Sequence, residues 1–288
     1  DTTRIWEAWF QQTFASGKAD VKLGLMSLDN EFITSTGAAI FLNTAFGWPM
    51  GASANQYAGG PAYPLSSLGV RLQARPTDEI TVLGAVVQDN PPGGSFYNDS
   101  QLLGSSRWGG NFNLRTGALV IGEVQYALNA PGEDGKSTGL PGTYKLGFWY
   151  DSAAFPNKRY AQGGLSLANP ASNGIPIMDR NNFMIYGVMD QTVWKAEGDS
   201  PRALSLFMRI MGGPGDRNLV SFALNAGVTL TAPLPGRDDD TFGIGFGMVK
   251  IGSGATGLDQ DVGFYSGAGY PVRTNESFIE VTYQAKVT

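Results

Sequence analysis

Apolar residues in this chain recur at every second position, segment after segment. In Glu276–Thr288, Ile279, Val281, Tyr283, Ala285 and Val287 share one face and Phe278, Glu280, Thr282, Gln284 and Lys286 the other. Thr143–Asp151 sets Tyr144, Leu146, Phe148 and Tyr150 against Thr143, Lys145, Gly147, Trp149 and Asp151. Leu68–Arg75 sets Leu68, Val70, Leu72 and Ala74 against Gly69, Arg71, Gln73 and Arg75. A period of two is the signature of a β-strand with one apolar and one wet face. Further strands are predicted at Ile5–Phe14, Ala19–Leu28, Ile80–Gln88, Ala118–Leu128, Phe183–Trp194, Ala203–Met211, Phe222–Thr231 and Thr241–Ile251. That makes about eleven, many near the nine to eleven residues a tilted strand needs to cross a bilayer.

The connections are sorted by length. Ser16–Lys18, Pro76–Glu79, Asn129–Leu140, Lys195–Arg202 and Ala232–Asp240 are mostly short and polar, with Gly or Pro. In strict turn between them stand Asp29–Ser67, Asp89–Arg115, Ser152–Asn182, Gly212–Ser221 and Gly252–Asn275, most of them longer. Successive connections of an up-and-down sheet lie on opposite rims, so this is the layout of a transmembrane barrel with short turns on one rim and long loops on the other. A soluble sandwich has no reason to sort its loops this way. The expected fold is therefore all-β, an antiparallel up-and-down β-barrel crossing a membrane, as a single domain over residues 1–288. An odd strand number, and a strong strand running to Thr288, make the expected barrel incomplete at both ends. Alternation alone does not say which face is wet. Trp6, Phe14, Tyr126, Tyr144, Tyr150 and Trp194 suit interfacial girdles, or the core of a soluble barrel.

Composition removes several classes of chemistry. With no Cys and no His, thiol nucleophiles, Cys-rich zinc sites and Ser-His-Asp triads are excluded. A net charge of −5 disfavours nucleic acid as a partner. The acidic runs at Asp238–Asp240 and Asp259–Asp261 lack EF-hand spacing. No metal, cofactor or catalytic set is expected.

The connection over residues 29–67 stands apart. From Phe32 to Val70 there is no Asp, Glu, Lys or Arg, yet Gly, Pro, Asn and Ser interrupt the stretch too often for a membrane helix. A short helical turn is predicted over Ala38–Phe46, capped near Ser35 or Thr36 and broken at Gly47-Trp48-Pro49. So long a connection in a compact protein is usually functional. It is expected to fold into the mouth of the barrel and narrow it.

Trp9-Phe10-Gln11-Gln12-Thr13-Phe14, Lys22-Leu23-Gly24-Leu25, Ser27-Leu28-Asp29-Asn30-Glu31-Phe32 and the block from Ala38 to Pro49 resemble the carbohydrate-selective, OprB-like porin family. So do Tyr63–Leu72, Pro141–Tyr150 and Tyr186–Gln191, in the family's order along most of the chain. The resemblance implies a pore of about 16 strands in the outer membrane of a Gram-negative bacterium. It implies passive diffusion of glucose and other mono- and oligosaccharides, with outer-membrane lipid and lipopolysaccharide around the barrel. It says nothing of oligomeric state.

A sugar is neutral and rich in hydroxyls, with flat C–H patches. A selective channel for it needs hydrogen-bonding side chains and aromatic faces, with binding weak enough for release. Arg71, on a wet face directly after the long loop, is the foremost candidate, or else an ordinary lumen charge. Asp29 and Glu31 stand where the loop leaves its strand, to pair with Arg71 or Lys22 or simply to cap a turn. Trp48 and Trp149 are possible stacking platforms, or packing residues. Glu7, Lys22, Glu123, Lys145, Asp190 and Arg209 are expected to line the lumen. Two other readings stay open: a β-rich carbohydrate-binding module without a channel, and a hydrolytic outer-membrane enzyme.

Overall fold

The structure is a computed structural model and describes residues 3–96, 105–106, 108–130, 137, 139–198 and 200–287. The alternating segments form β1 (Ala8–Phe14), β2 (Ala19–Met26), β3 (Ser67–Ala74), β4 (Ile80–Gln88), β5 (Ala118–Leu128), β6 (Gly142–Ala161), β7 (Pro176–Lys195), β8 (Ala203–Gly212), β9 (Val220–Thr231), β10 (Thr241–Ile251) and β11 (Asn275–Gln284). They make one 11-stranded sheet in which each strand pairs only with its sequence neighbours, antiparallel throughout. The predicted all-β, up-and-down topology is what the chain adopts. Among the described residues no helix is long and apolar enough to cross a membrane, so any crossing is made by strands.

Which face is wet is now decided. Val70, Leu72, Val86, Val124, Leu146, Phe148, Ile185, Ile210 and Ile279 all point outward and are exposed, Leu146 at 66% and Ile279 at 71%. The opposite face carries Arg71, Glu123 and Arg209, each at most 3% exposed. This inverts a soluble protein and exposes far more contiguous apolar surface than a water-soluble monomer presents. Phe14, Tyr126, Tyr144, Trp194 and Tyr283 cluster where strands meet the short turns, with Tyr126 directly opposite Tyr144. An aromatic girdle at that height is what a membrane interface selects.

Two expectations are corrected. Ser152–Asn182, expected as a loop, is largely an extension of the β6–β7 hairpin, with register shifts between Asp151 and Ala154 and between Pro156 and Ala161. The Ala153-Ala154-Phe155-Pro156 run breaks the alternation that would have marked it, and the strand tolerates Pro156 at an irregular register. The connection after β10 holds a helix, α2 (Ser253–Ser266), tied down by ion pairs Arg159–Asp261 and Arg273–Asp259. Those arginines, with Arg237 on Asp240, occupy the carboxylates that had a superficial look of a cation site. Part of the Asn129–Leu140 turn lies outside the described residues.

Candidate pore constriction

The 40 residues between β2 and β3 fold over the inner face of the sheet. The predicted helical turn is two separate 3-10 turns, Ala38–Ile40 and Thr44–Phe46, followed by α1 (Met50–Ser53) and another 3-10 turn at Tyr57–Gly59. Ser35 caps as expected, its Oγ accepting from Ala38 N. Pro49 opens α1 rather than ending a helix, because its missing N–H costs nothing in a first turn. With no long helix to satisfy its backbone, the loop must find partners elsewhere.

The barrel wall supplies them. Glu123 on β5 accepts from Ile33 N at 2.9 Å and Tyr186 Oη at 2.9 Å. Lys145 on β6 donates to Thr34 O and Oγ1. Asp190 on β7 accepts from Ser35 Oγ, Thr36 N and Gly37 N. Arg209 on β8 donates to the carbonyls of Ile33, Ala45, Phe46 and Gly47, and to Asn225 Oδ1. Glu280 on β11 takes Leu42 N and Asn43 N. The division of labour is clear: the uncharged loop offers backbone groups, and the wall offers charges. One loop bonding to strands from β5 to β11 also requires that this face be concave.

Apolar contacts complete the seat. Phe41, Phe46 and Phe207 pack together with centroids 4.5 to 5.9 Å apart. Gly243 and Gly245 on β10 make room for them. A Cβ on Gly245 would lie 2.6 Å from Phe46 Cζ, and one on Gly243 2.5 Å from Ile40 Cδ1. Farther along, Asn55 clamps β9 by donating to Val220 O and accepting from Val220 N.

At the root of the loop stands a four-charge cluster. Glu31 pairs with both Lys22 and Arg71, and Arg71 also pairs with Asp20. Lys22 and Arg71 are direct cross-strand partners on β2 and β3, so Glu31 settles between two cations that would otherwise repel. Asp29 is not part of this cluster; its Oδ2 accepts from Tyr63 N across the loop's neck. Glu7 holds the same neck through Ser27 N and Oγ.

The two tryptophans differ in exposure. Trp149 is fully enclosed, 0% exposed, so it offers no ring face to a sugar, whereas Trp48 is half-buried against the core with its Nε1 donating to Gly59 O.

Two spaces open on the short-turn side of the loop. One, of about 250 Å³, is lined by Glu31, Thr34, Gln73, Arg75, Gln125 and Lys145 among others. Gln73, Arg75 and Gln125 were legible as wet-face neighbours of Arg71 and Glu123, but nothing in a single strand singles them out; they matter because the loop leaves them uncovered. The other, of about 390 Å³, lies beneath Thr36, Gly37 and Ile40 over β6–β10.

The family model of the carbohydrate-selective porins, OprB family, matches residues 1–288. The chain belongs to the OprB family. It is similar to Porin B of Pseudomonas aeruginosa, 25% identical over 256 residues, which covers 87% of this chain and 51% of that protein. In fold it is similar to Pseudomonas putida OprB in its high-pH structure, with a TM-score of 0.81 at 21% identity, covering 97% of this chain and 64% of that one. This OprB-family chain thus spans about half the length of the curated relative it matches. Porins of this family lie in the outer membrane of Gram-negative bacteria, and this chain carries an exposed apolar outer face and a charged inner one.

Proposed function

We propose that this chain forms the greater part of a channel through which sugars such as glucose diffuse passively, and that residues 29–67 are its constriction. The observation that carries this reading is the seating of the charge-free stretch 32–67 of that loop across the lumen. The wall charges are consumed in holding it, leaving a polar passage beside Glu31, Gln73, Arg75, Gln125 and Lys145. Paired charges of both signs at the loop's root hinder a lone small ion, which meets its own sign at close range. A neutral polyol instead exchanges water for donors and acceptors at little net cost, so it enters and leaves.

Arg71, Glu31 and Lys22 fix the entry of the loop, whereas Arg75, Gln73 and Gln125 meet the solute. Asp29, Glu7, Glu123, Asp190 and Arg209 hold the loop in place, and Lys145 does so while also bordering the passage. No catalytic step is assigned to any of them.

Liposome swelling by the full-length protein tests this, comparing glucose with an amino acid and a salt of similar size. Faster glucose entry, reduced by Arg75→Ala, is the expected result. Equal entry of all solutes would remove selectivity and leave a general porin. Absence of swelling from inserted protein, with sugar binding retained, would point instead to a carbohydrate-binding barrel without a channel.

A further inference from the structure

The space beneath the loop over β6–β10 is chemically unlike the charged passage over β2–β6. Thr143, Thr192, Ser205, Thr229, Thr231 and Thr241 line it. Strand pairing makes them a continuous band: Thr192 lies opposite Ser205, Ser205 opposite Thr229, and Thr231 opposite Thr241. Asp190, opposite Thr143, is the only charged residue on this lining among the described residues, and both its oxygens are engaged by the loop. Thr192 Oγ1 and Ser205 Oγ lie 3.1 Å apart. The other four hydroxyls have no protein partner among the described residues, and each can donate one hydrogen bond and accept others.

Strands favour Thr for its branched side chain, which explains isolated threonines. It does not explain hydroxyls at successive inward positions on five strands, where the same positions nearer the long-loop rim hold Arg209, Asn225 and Phe207. The volume of about 390 Å³ falls within the ~300–1,000 Å³ span of small-molecule sites. Apart from Asp190, whose oxygens are turned to the loop, the polar side chains of this lining are neutral, so it offers a solute hydroxyls more than charge.

We propose that this hydroxyl band is a second, uncharged sugar subsite on the short-turn side of the constriction, receiving a neutral polyol as it leaves the charged passage. The inference rests on the channel reading above. A sugar slides along the band by exchanging one hydroxyl partner for the next, so no single position binds it tightly.

The test uses the full-length protein in liposomes and planar bilayers, with glucose as probe. Thr→Val keeps side-chain shape and removes the hydroxyl, so a Thr192→Val, Thr229→Val, Thr231→Val variant is compared with wild type. The half-saturating glucose concentration is expected to rise roughly three- to tenfold, from the loss of a few neutral hydrogen bonds, while KCl conductance stays unchanged. Thr229→Ser, which keeps the hydroxyl, should behave as wild type. Unchanged glucose saturation in a channel that remains sugar-selective would overturn the subsite while leaving the channel reading intact. A parallel fall in KCl conductance would also overturn it, by showing general narrowing. If the triple variant does not insert, Thr229→Val alone carries the same comparison. Wild type showing no preference for glucose would instead refute the channel reading itself.

Discussion

Arg209→Met should free the constriction loop without unfolding the barrel. The guanidinium, 3% exposed, donates to Ile33 O at 3.2 Å, Gly47 O at 2.8 Å, Ala45 O at 3.0 Å and Phe46 O at 2.6 Å. Hydrogen bonds to a charged group contribute about 1.5–3 kcal/mol each, and bonds sharing one donor are not additive. Removing them also strands four carbonyls, which water must reach before they are satisfied. A loss of about 3–5 kcal/mol in the local opening free energy of residues 33–47 follows. At 1.4 kcal/mol per decade, amide protection of that segment should fall on the order of a hundred- to a few thousandfold. The strand amides keep their ladders and should exchange as before. Hydrogen exchange read by peptide mass gives the first number, and single-channel ion conductance, expected to rise and become noisier, gives the second. Arg209→Lys should sit between, since one ammonium cannot span four carbonyls. Wild-type protection over 33–47 in the Met variant would refute the claim that this residue holds the loop.

Glu123→Gln places an amide where two donors, Ile33 N and Tyr186 Oη, converge; it should weaken the loop's attachment by about 1.5–3 kcal/mol, measured by the same exchange experiment. Gly245→Ala drives a Cβ to 2.6 Å from Phe46 Cζ. Overpacking of this kind costs about 1–3 kcal/mol, so the loop tip should become the first site of limited proteolysis. Acidification should release α2. Hydrogen bonding from Arg273 holds Asp259 below the usual carboxylate range, and Arg159 does the same for Asp261. A depressed folded pKa gives stability that is complete above the ordinary value of about 4 and is lost as pH falls through the folded values. Exchange in 253–274 should therefore accelerate below about pH 4, and Asp259→Asn should show that acceleration already at neutral pH.

Much of this was visible in the chain as written. Period-two alternation is local and strong, so Ile80–Gln88, Ala118–Leu128 and Thr241–Ile251 were read with the bounds the strands have. The extension of β6 and β7 escaped because Pro156 and the small residues before it interrupt the pattern. The cluster of Lys22, Glu31 and Arg71 was half visible: spacing put Glu31 at the loop's departure and Arg71 at its return. Asp20 entered only through the register of β2 on β3. Glu123, Lys145, Asp190 and Arg209 were read as charges facing water. Their engagement with the loop was hidden, since their partners are backbone groups up to 176 positions away, and backbone groups carry no signal in a side-chain alphabet.

Strand number, strand direction, the sorting of loops and the absence of charge in the long loop all belong to the sequence, because each is a property of neighbours along the chain. Alternation is symmetric between its two faces, so no single strand states which one meets lipid. Curving the sheet over a loop that has backbone groups to satisfy broke that symmetry: the charged face had to be the concave one. The tertiary structure alone therefore decided which charges were spent on the loop and which were left uncovered beside it.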